Sequence, residues 1–354
     1  MKRLNYLLYF AIFYIIFGCT ETTREGLQRI EFSLDDFEVK KQLTGEKFVY
    51  DSILNPRRIL LKRTNLIVSN SGSRFLLHVI DPSSMKYQTG KGLIGNGPGE
   101  ITVGIWELDG GLDDDSFWAY DLSGKRFYEF NLLSDSKLAS RTIKQNEAWF
   151  FGHSMHWKSR NEIISYLIRS SDEFGVFDTL GNRTELIRPW SFEEEVDEQM
   201  GYVLAGLYQG PIDYHSKSKI LGHAAIKFEY FELINLEDKN ILEFYGPNKS
   251  QLNYELETQD GEVNAFITEE TIKGYSDIFI GEESVFLAYI GKTNHEEREL
   301  GETTNMIFEF DLNGNPKSLF ETDIAVRYLT VSETDRIIYG ISNDENPGIV
   351  IFEY

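Results

Sequence analysis

Phe75-Leu76-Leu77-His78-Val79-Ile80-Asp81 is a short apolar run closed by an aspartate, and the pattern returns five times along the chain. The copies are RFYEFN (126–131), EFGVFD (173–178), EYFELIN (229–235), MIFEFD (306–311) and GIVIFE (348–353). They recur at intervals of 50, 47, 57, 76 and 42 residues. Residues with β-branched or aromatic side chains suit a pleated surface, and a terminal Asp or Asn can turn the chain by bonding its own backbone. Each copy is preceded by another apolar strand: LIVSN (66–70), FWAYD (117–121), EIISYLI (162–168), KILGHAA (219–225), VFLAYI (285–290) and RIIYGIS (336–342). A meander of about four strands, repeated six times at a period near fifty, is the sequence signature of a β-propeller. The predicted fold is therefore all-β, a six-bladed β-propeller spanning residues 27–354.

The chain stops at Tyr354, one strand short of a sixth blade. A sheet edge left open invites pairing with other chains. An N-terminal strand is expected to close the last blade, and the alternating segment LQRIEFSL (27–34) is the candidate. Three stretches exceed the repeat: Asn248–Lys273, the charged 291–304, and an acidic run after Ser191. Ser191 and Glu194 have capping-box spacing, which predicts the start of a short helix.

Composition narrows the function. Aromatics reach 14% and apolar residues 41%, enough for a packed core. Fifty-seven acids against 35 bases give a net charge of -22, which repels phosphate backbones and disfavours nucleic-acid partners. Residues 1–19, MKRLNYLLYFAIFYIIFGC, begin with two bases and continue as an apolar stretch too short for a stable span. The tetrapeptide Ile16-Phe17-Gly18-Cys19 resembles the bacterial lipobox. That resemblance implies a diacylglycerol thioether on Cys19 and cleavage after Gly18, giving a lipoprotein signal peptide (1–18) and a lipidated tether (19–26). Cys19 is the sole cysteine, so it has no disulfide partner within the chain. The expected location is the cell envelope, as an outer-membrane lipoprotein held to the membrane by this anchor. Both the periplasmic face and the cell surface stay open.

Gly95-Asn96-Gly97-Pro98-Gly99-Glu100 follows the first repeat. With Cys19 and the six units, it resembles the TolB-like six-bladed propeller lipoproteins of Bacteroidetes, and the resemblance supports fold and location rather than chemistry. Gly97 and Gly99 permit positive φ and Pro98 fixes its own, so the loop reads as a tight crossing between blades. Glu100 either ties down backbone amides there or offers a carboxylate to a ligand.

Catalytic motifs are sparse. No GxSxG, HExxH or cysteine cluster occurs, and His153 and His156 lie three apart, on opposite faces of a strand. No catalytic residue, metal site or cofactor beyond the lipid is expected. Asp311-Leu312-Asn313-Gly314-Asn315 reads as a hairpin turn rather than a calcium loop, since position 12 is Thr322. Trp106, Trp149, Trp157, Trp190, Tyr202, Tyr208 and Tyr214 fall in inner strands or the loops leading to them, where rings can pack between blades or face a ligand. The ligand-binding candidates are Glu100, Trp106, Trp149, His153, Tyr208 and Tyr214. The expected function is a monomeric binding or scaffold module for an envelope protein, peptide or glycan. The alternative is a lactonase-like propeller hydrolase with a divalent cation in its channel. Three or more convergent carboxylates in the channel would favour the hydrolase; aromatic lining would favour binding.

Overall fold

A computed structural model describes residues 26–190, 196–248, 252–259, 262–299 and 305–354. Cys19 and the signal segment lie outside them, as do Ser191 and Glu194.

Six four-stranded antiparallel meanders form a ring. Their inner strands are Pro56–Lys62, Glu107–Asp109, Gly152–Ser159, Ile212–His215, Tyr275–Ile280 and Val326–Ser332, for blades one to six. The two apolar strands recognised in each repeat become the second and third strands, from Asn65–Asn70 and Phe75–Asp81 in blade one to Ile337–Ser342 and Ile349–Glu353 in blade six. Both faces of these strands are buried, because each blade packs on two neighbours. Ile67, Val68, Phe117, Phe174, Phe231, Phe308 and Phe352 are all fully buried.

The closing Asp or Asn of each repeat makes the turn its chemistry predicts. Asp81 accepts from the amide of Ser83 at 2.9 Å, Asp178 from Asn182 at 2.8 Å and Asp311 from Asn315 at 2.8 Å. Asn131 and Asn235 do the same for Leu133 and Glu237.

The N-terminal segment closes the ring, but with a different strand from the expected one. Glu46–Phe48 pairs antiparallel with Ile349–Glu353 and completes blade six. Leu27–Glu31 instead runs parallel along the outer strand of blade four, and Val39–Leu43 runs parallel along that of blade five. The reason lies between them: Phe32 and Phe37, each 2% exposed, plug the seam between blades four and five against Phe231, Phe308 and Phe310. The segment is a strap around three blades. It shields two outer edges before it fills the third.

The two long excursions are now specific. Between blades three and four lies the helix Glu198–Leu207, capped by Asp197, which accepts from the Met200 amide at 2.8 Å. Between blades four and five, Tyr254–Gln259 and Glu262–Ile267 form a separate hairpin that meets this helix. Both lie on the face where inner strands begin, here the upper face; inner strands end at the lower face.

Candidate functional site

The Gly95–Glu100 loop crosses from blade one to blade two on the upper face. Gly97 donates its amide to Glu100 Oε2 at 2.8 Å, and Glu100 returns its amide to Gly97 O at 3.1 Å. The carboxylate fills the space a Cβ on Gly95 would need. Gly99 has φ +77°, and a Cβ there would meet Ala139 O at 2.8 Å. Glu100 is therefore engaged within its own turn.

The channel wall carries a ring of side-chain links, one for each step between blades. Arg58 donates from Nε to Glu107 Oε1 at 3.0 Å, joining blades one and two. Asp109 accepts from the Trp157 amide at 2.9 Å, joining two and three. His156 donates from Nε2 to Ile212 O at 2.9 Å, and Asp213 accepts from the Ile280 amide at 2.7 Å. Asp277 accepts from the Leu329 amide at 2.8 Å, and Thr330 accepts from Leu61 at 3.2 Å, which returns to blade one. The ring thus closes chemically as well as geometrically.

These groups titrate unusually. Burial works against charge on His156, but the Asp109 hydrogen bond at 3.0 Å and the nearby carboxylates outweigh it and raise it to about 9. Burial pushes Asp277 up to about 7 against the pull of Arg58. Both shifts act with one sign on stability. The folded state holds more protons than the unfolded chain between about pH 4 and 7 at Asp277, and between about 6.5 and 9 at His156. Stability is expected to be greater near pH 5 than near pH 9, by on the order of 2 kcal/mol, because His153, held down to about 4, acts with the opposite sign between about pH 4 and 6.5 and offsets part of the fall. Thermal unfolding across that range checks this; Asp277→Asn flattens the acid half and His156→Gln the alkaline half. A melting temperature that rises with pH would contradict the assignment.

At the lower face the channel opens into a cavity of about 600 Å³ that reaches all six inner strands, with Asp109, His156, Asp213 and Tyr214 in its wall. The upper face is different in kind. Trp106, 38% exposed, stands edge-on to His153 with ring centres 5.0 Å apart. On one side of this pair lies a cavity of about 420 Å³ bounded by Arg57, Arg58 and Tyr328. On the other lies one of about 270 Å³ bounded by Tyr202, Lys227 and Asn264, between helix and hairpin. Burial, with Lys125 and Arg58 nearby, pushes His153 down to about 4, so it is neutral at pH 7.

The candidates thus separate. Trp106 and His153 come together at the upper face. Tyr214 lines the lower cavity. Tyr208 is half-buried among Trp190, Phe228 and Tyr230 beneath the helix. Trp149 is 2% exposed and stacks between Phe127 and Phe177, so its ring packs blades two and three rather than facing a ligand. Trp157 and Trp190 are buried likewise.

One group of ligand-type side chains within metal-holding distance occurs among the described residues: Glu173, His223 and Glu232, all buried between blades three and four. His223 Nδ1 lies 3.1 Å from Glu232 and 3.4 Å from Glu173, while Nε2 faces the Tyr208 carbonyl at 2.9 Å. Arg188 lies across the same carboxylates, 3.4 Å from Glu173 and paired with Glu232 and Glu243. Arg188 already engages these acids, with His223 beside them and Arg29 on Glu243, so the cluster reads as an ionic clamp between blades.

The chain resembles two Bacteroides structures. One is a protein of Bacteroides fragilis assigned as exported, 13% identical, with a TM-score of 0.53 over 92% of this chain and 98% of that one. The other is a member of the DUF4221 family from Bacteroides vulgatus, 14% identical, with a TM-score of 0.54 over 88% and 98%. At such identities the likeness concerns the fold alone. No curated protein matches the chain significantly. The family model for TolB-like six-bladed propellers matches residues 32–334, all six blades in part or whole, and the chain belongs to that family.

Proposed function

We propose that this propeller is a lipid-anchored binding module of the cell envelope that holds its ligand on the upper face. The observation that carries the reading is the distribution of exposed rings. Six of the seven exposed aromatic residues among the described residues, Trp106, Phe150, Phe151, Tyr202, Tyr254 and Phe266, lie in upper-face loops, the helix or the hairpin; Tyr87, on the outer strand of blade one, is the exception. Exposed aromatics gathered on one face mark interaction surfaces, because each leaves apolar area in water that a partner could cover. Hydrolysis has less support. Glu107, Asp109, Asp213 and Asp277 each bind an amide or Arg58 of an adjoining blade, so the channel carboxylates serve the ring instead of converging on a cation.

The envelope location rests on residues 1–19 and on the exported relative from Bacteroides fragilis. Two acyl chains or more are needed for stable anchoring, which triacylation of Cys19 would supply. Cys19→Ser is expected to move the protein from the membrane to the soluble fraction; retention in the membrane pellet would count against the anchor. For the site, a photoreactive benzoylphenylalanine placed at Trp106 is expected to yield adducts in intact cells. The same group at Leu180, 78% exposed on the lower face, is expected to give none. Equal labelling from both positions would overturn the upper-face assignment.

A further inference from the structure

We propose that the cavity between the helix and the hairpin binds a small organic carboxylate, with Lys227 as its counter-ion. The inference rests on the upper-face reading above and names one pocket of that face and its ligand class. It comes from an ammonium group that finds no acceptor.

Among the described residues, burial lowers Lys62, Lys91, Lys125 and Lys227. The first three donate to backbone carbonyls, those of Gly110 at 2.6 Å, Ser134 at 2.7 Å and Phe150 at 3.0 Å. Lys227 reaches no acceptor among the described residues. Lys86 and Lys219 are exposed, so water can take their protons' hydrogen bonds. Lys227 is half-buried, and an ammonium withdrawn from water without an acceptor is costly.

The cavity wall shows where that acceptor would sit. Its volume is about 270 Å³, and four elements build it. His153 comes from the inner strand of blade three, and Gly206 and Gln209 from the end of the helix. Lys227 comes from the loop between second and third strands of blade four, and Asn264 from the hairpin. Both excursions from the repeat thus take part. The side-chain amides of Gln209 and Asn264 also make no hydrogen bond among the described residues. No aspartate or glutamate among the described residues lines this cavity, whereas Asp109, Asp213, Glu282, Glu283 and Glu333 line the lower one. Tyr202 and Val203 supply ring and aliphatic surface.

One cation, two unspent amides and an apolar wall suit an anion with an apolar body and polar substituents. A carboxylate accepts from two donors at once, which Lys227 and a neighbouring amide can supply. A phosphate carries more charge than a single ammonium balances, and is better served by a guanidinium fork or a nest of backbone amides. Pockets for drug-sized molecules span about 300 to 1,000 Å³, so this one fits a single sugar or a single amino-acid unit.

The test is calorimetric titration of the lipid-anchored protein in detergent. The probes are galacturonate and N-acetylphenylalanine, their neutral counterparts galactose and N-acetylphenylalaninamide, and inorganic phosphate. At least one carboxylate is expected to bind, its neutral counterpart about tenfold more weakly or worse, and phosphate not at all. Which carboxylate binds separates a sugar-acid source from an amino-acid source, and either supports the inference. Lys227→Met keeps the stem, removes the charge and is expected to weaken binding about tenfold or more. Gly206→Leu is the second variant. A Cβ at Gly206 would meet nothing within 4 Å, so the new side chain enters the cavity without a clash and suits the helix better than glycine. It is expected to abolish binding with a melting temperature unchanged or higher, which separates loss of binding from loss of fold. Failure of both carboxylates to bind overturns the inference, while adducts from position 106 would still uphold the upper-face reading. Carboxylate binding insensitive to Lys227→Met and Gly206→Leu also overturns the inference. If Tyr214→Ala in the lower cavity abolishes that binding, the upper-face reading falls with it.

Discussion

Arg188→Met is expected to destabilise the protein by about 3–5 kcal/mol, the range seen when one partner of a buried ion pair is removed. Arg188 is 4% exposed and faces Glu173, Glu232 and Glu243 from the neighbouring strands of blades three and four. Without the guanidinium, the three buried carboxylates would be left with His223, the half-exposed Arg29, 3.1 Å from Glu243, and the Tyr245 hydroxyl, 3.3 Å from it. They must then protonate or the seam must open. For a domain stable by roughly 5–15 kcal/mol, such a loss approaches unfolding. Arg188→Lys rescues little, because an ammonium cannot serve three carboxylates in one plane. Adding Glu232→Gln and Glu173→Gln to Arg188→Met should recover part of the loss. Urea unfolding measures all of these; an Arg188→Met variant within 1 kcal/mol of the native protein would show that the clamp does not hold the seam.

Phe32→Ala is expected to cost about 3–5 kcal/mol, as for other large aromatics removed from a packed core. Its ring centre lies 5.3 Å from that of Phe310 and 6.0 Å from those of Phe231 and Phe308, joining blades four and five. The cavity sits where a strap meets two blades, so neighbouring strands cannot collapse to fill it. Loss of the whole strap, residues 26–48, would also uncover three outer edges. That truncation is expected to aggregate rather than fold. Equal stability of Phe32→Ala and the native protein would mean that the strap is decorative.

The second and third strands of every blade, and the Asp or Asn turns after them, are legible in the sequence because both signals are local. Val285-Phe286-Leu287 and Phe308-Glu309-Phe310 announce themselves within seven residues. The strap is not local. Val39-Lys40-Lys41-Gln42-Leu43 exposes four of its five side chains and pairs in parallel with residues some 280 positions away. Its polar alternation resembles a linker, and the more regular 27–34 segment attracts the closing role. The channel ring is hidden for a related reason. Glu107-Leu108-Asp109, Ile212-Asp213-Tyr214 and Ser276-Asp277-Ile278 look like surface patterns, because a carboxylate does not disclose which amide it faces. Aligning the six inner strands would have exposed aspartates in three of them. Glu173, Glu232 and Glu243 were unreadable as a buried cluster until Arg188 was placed beside them.

Of the ligand candidates, Trp106 and His153 lie where inner strands begin and meet at the upper face. Trp149 shows the converse: a tryptophan before an inner strand fits equally well between blades.

The closed ring depends on Glu46–Phe48 completing the last blade. Cysteines placed at Glu46 and Ile351, which face one another in the closing pair, decide it in a chain whose native thiol is removed by Cys19→Ser. Mild oxidation is expected to crosslink Glu46→Cys with Ile351→Cys nearly completely, and Arg29→Cys with Ile351→Cys hardly at all. Efficient crosslinking of the second pair and none of the first would contradict the closed ring described.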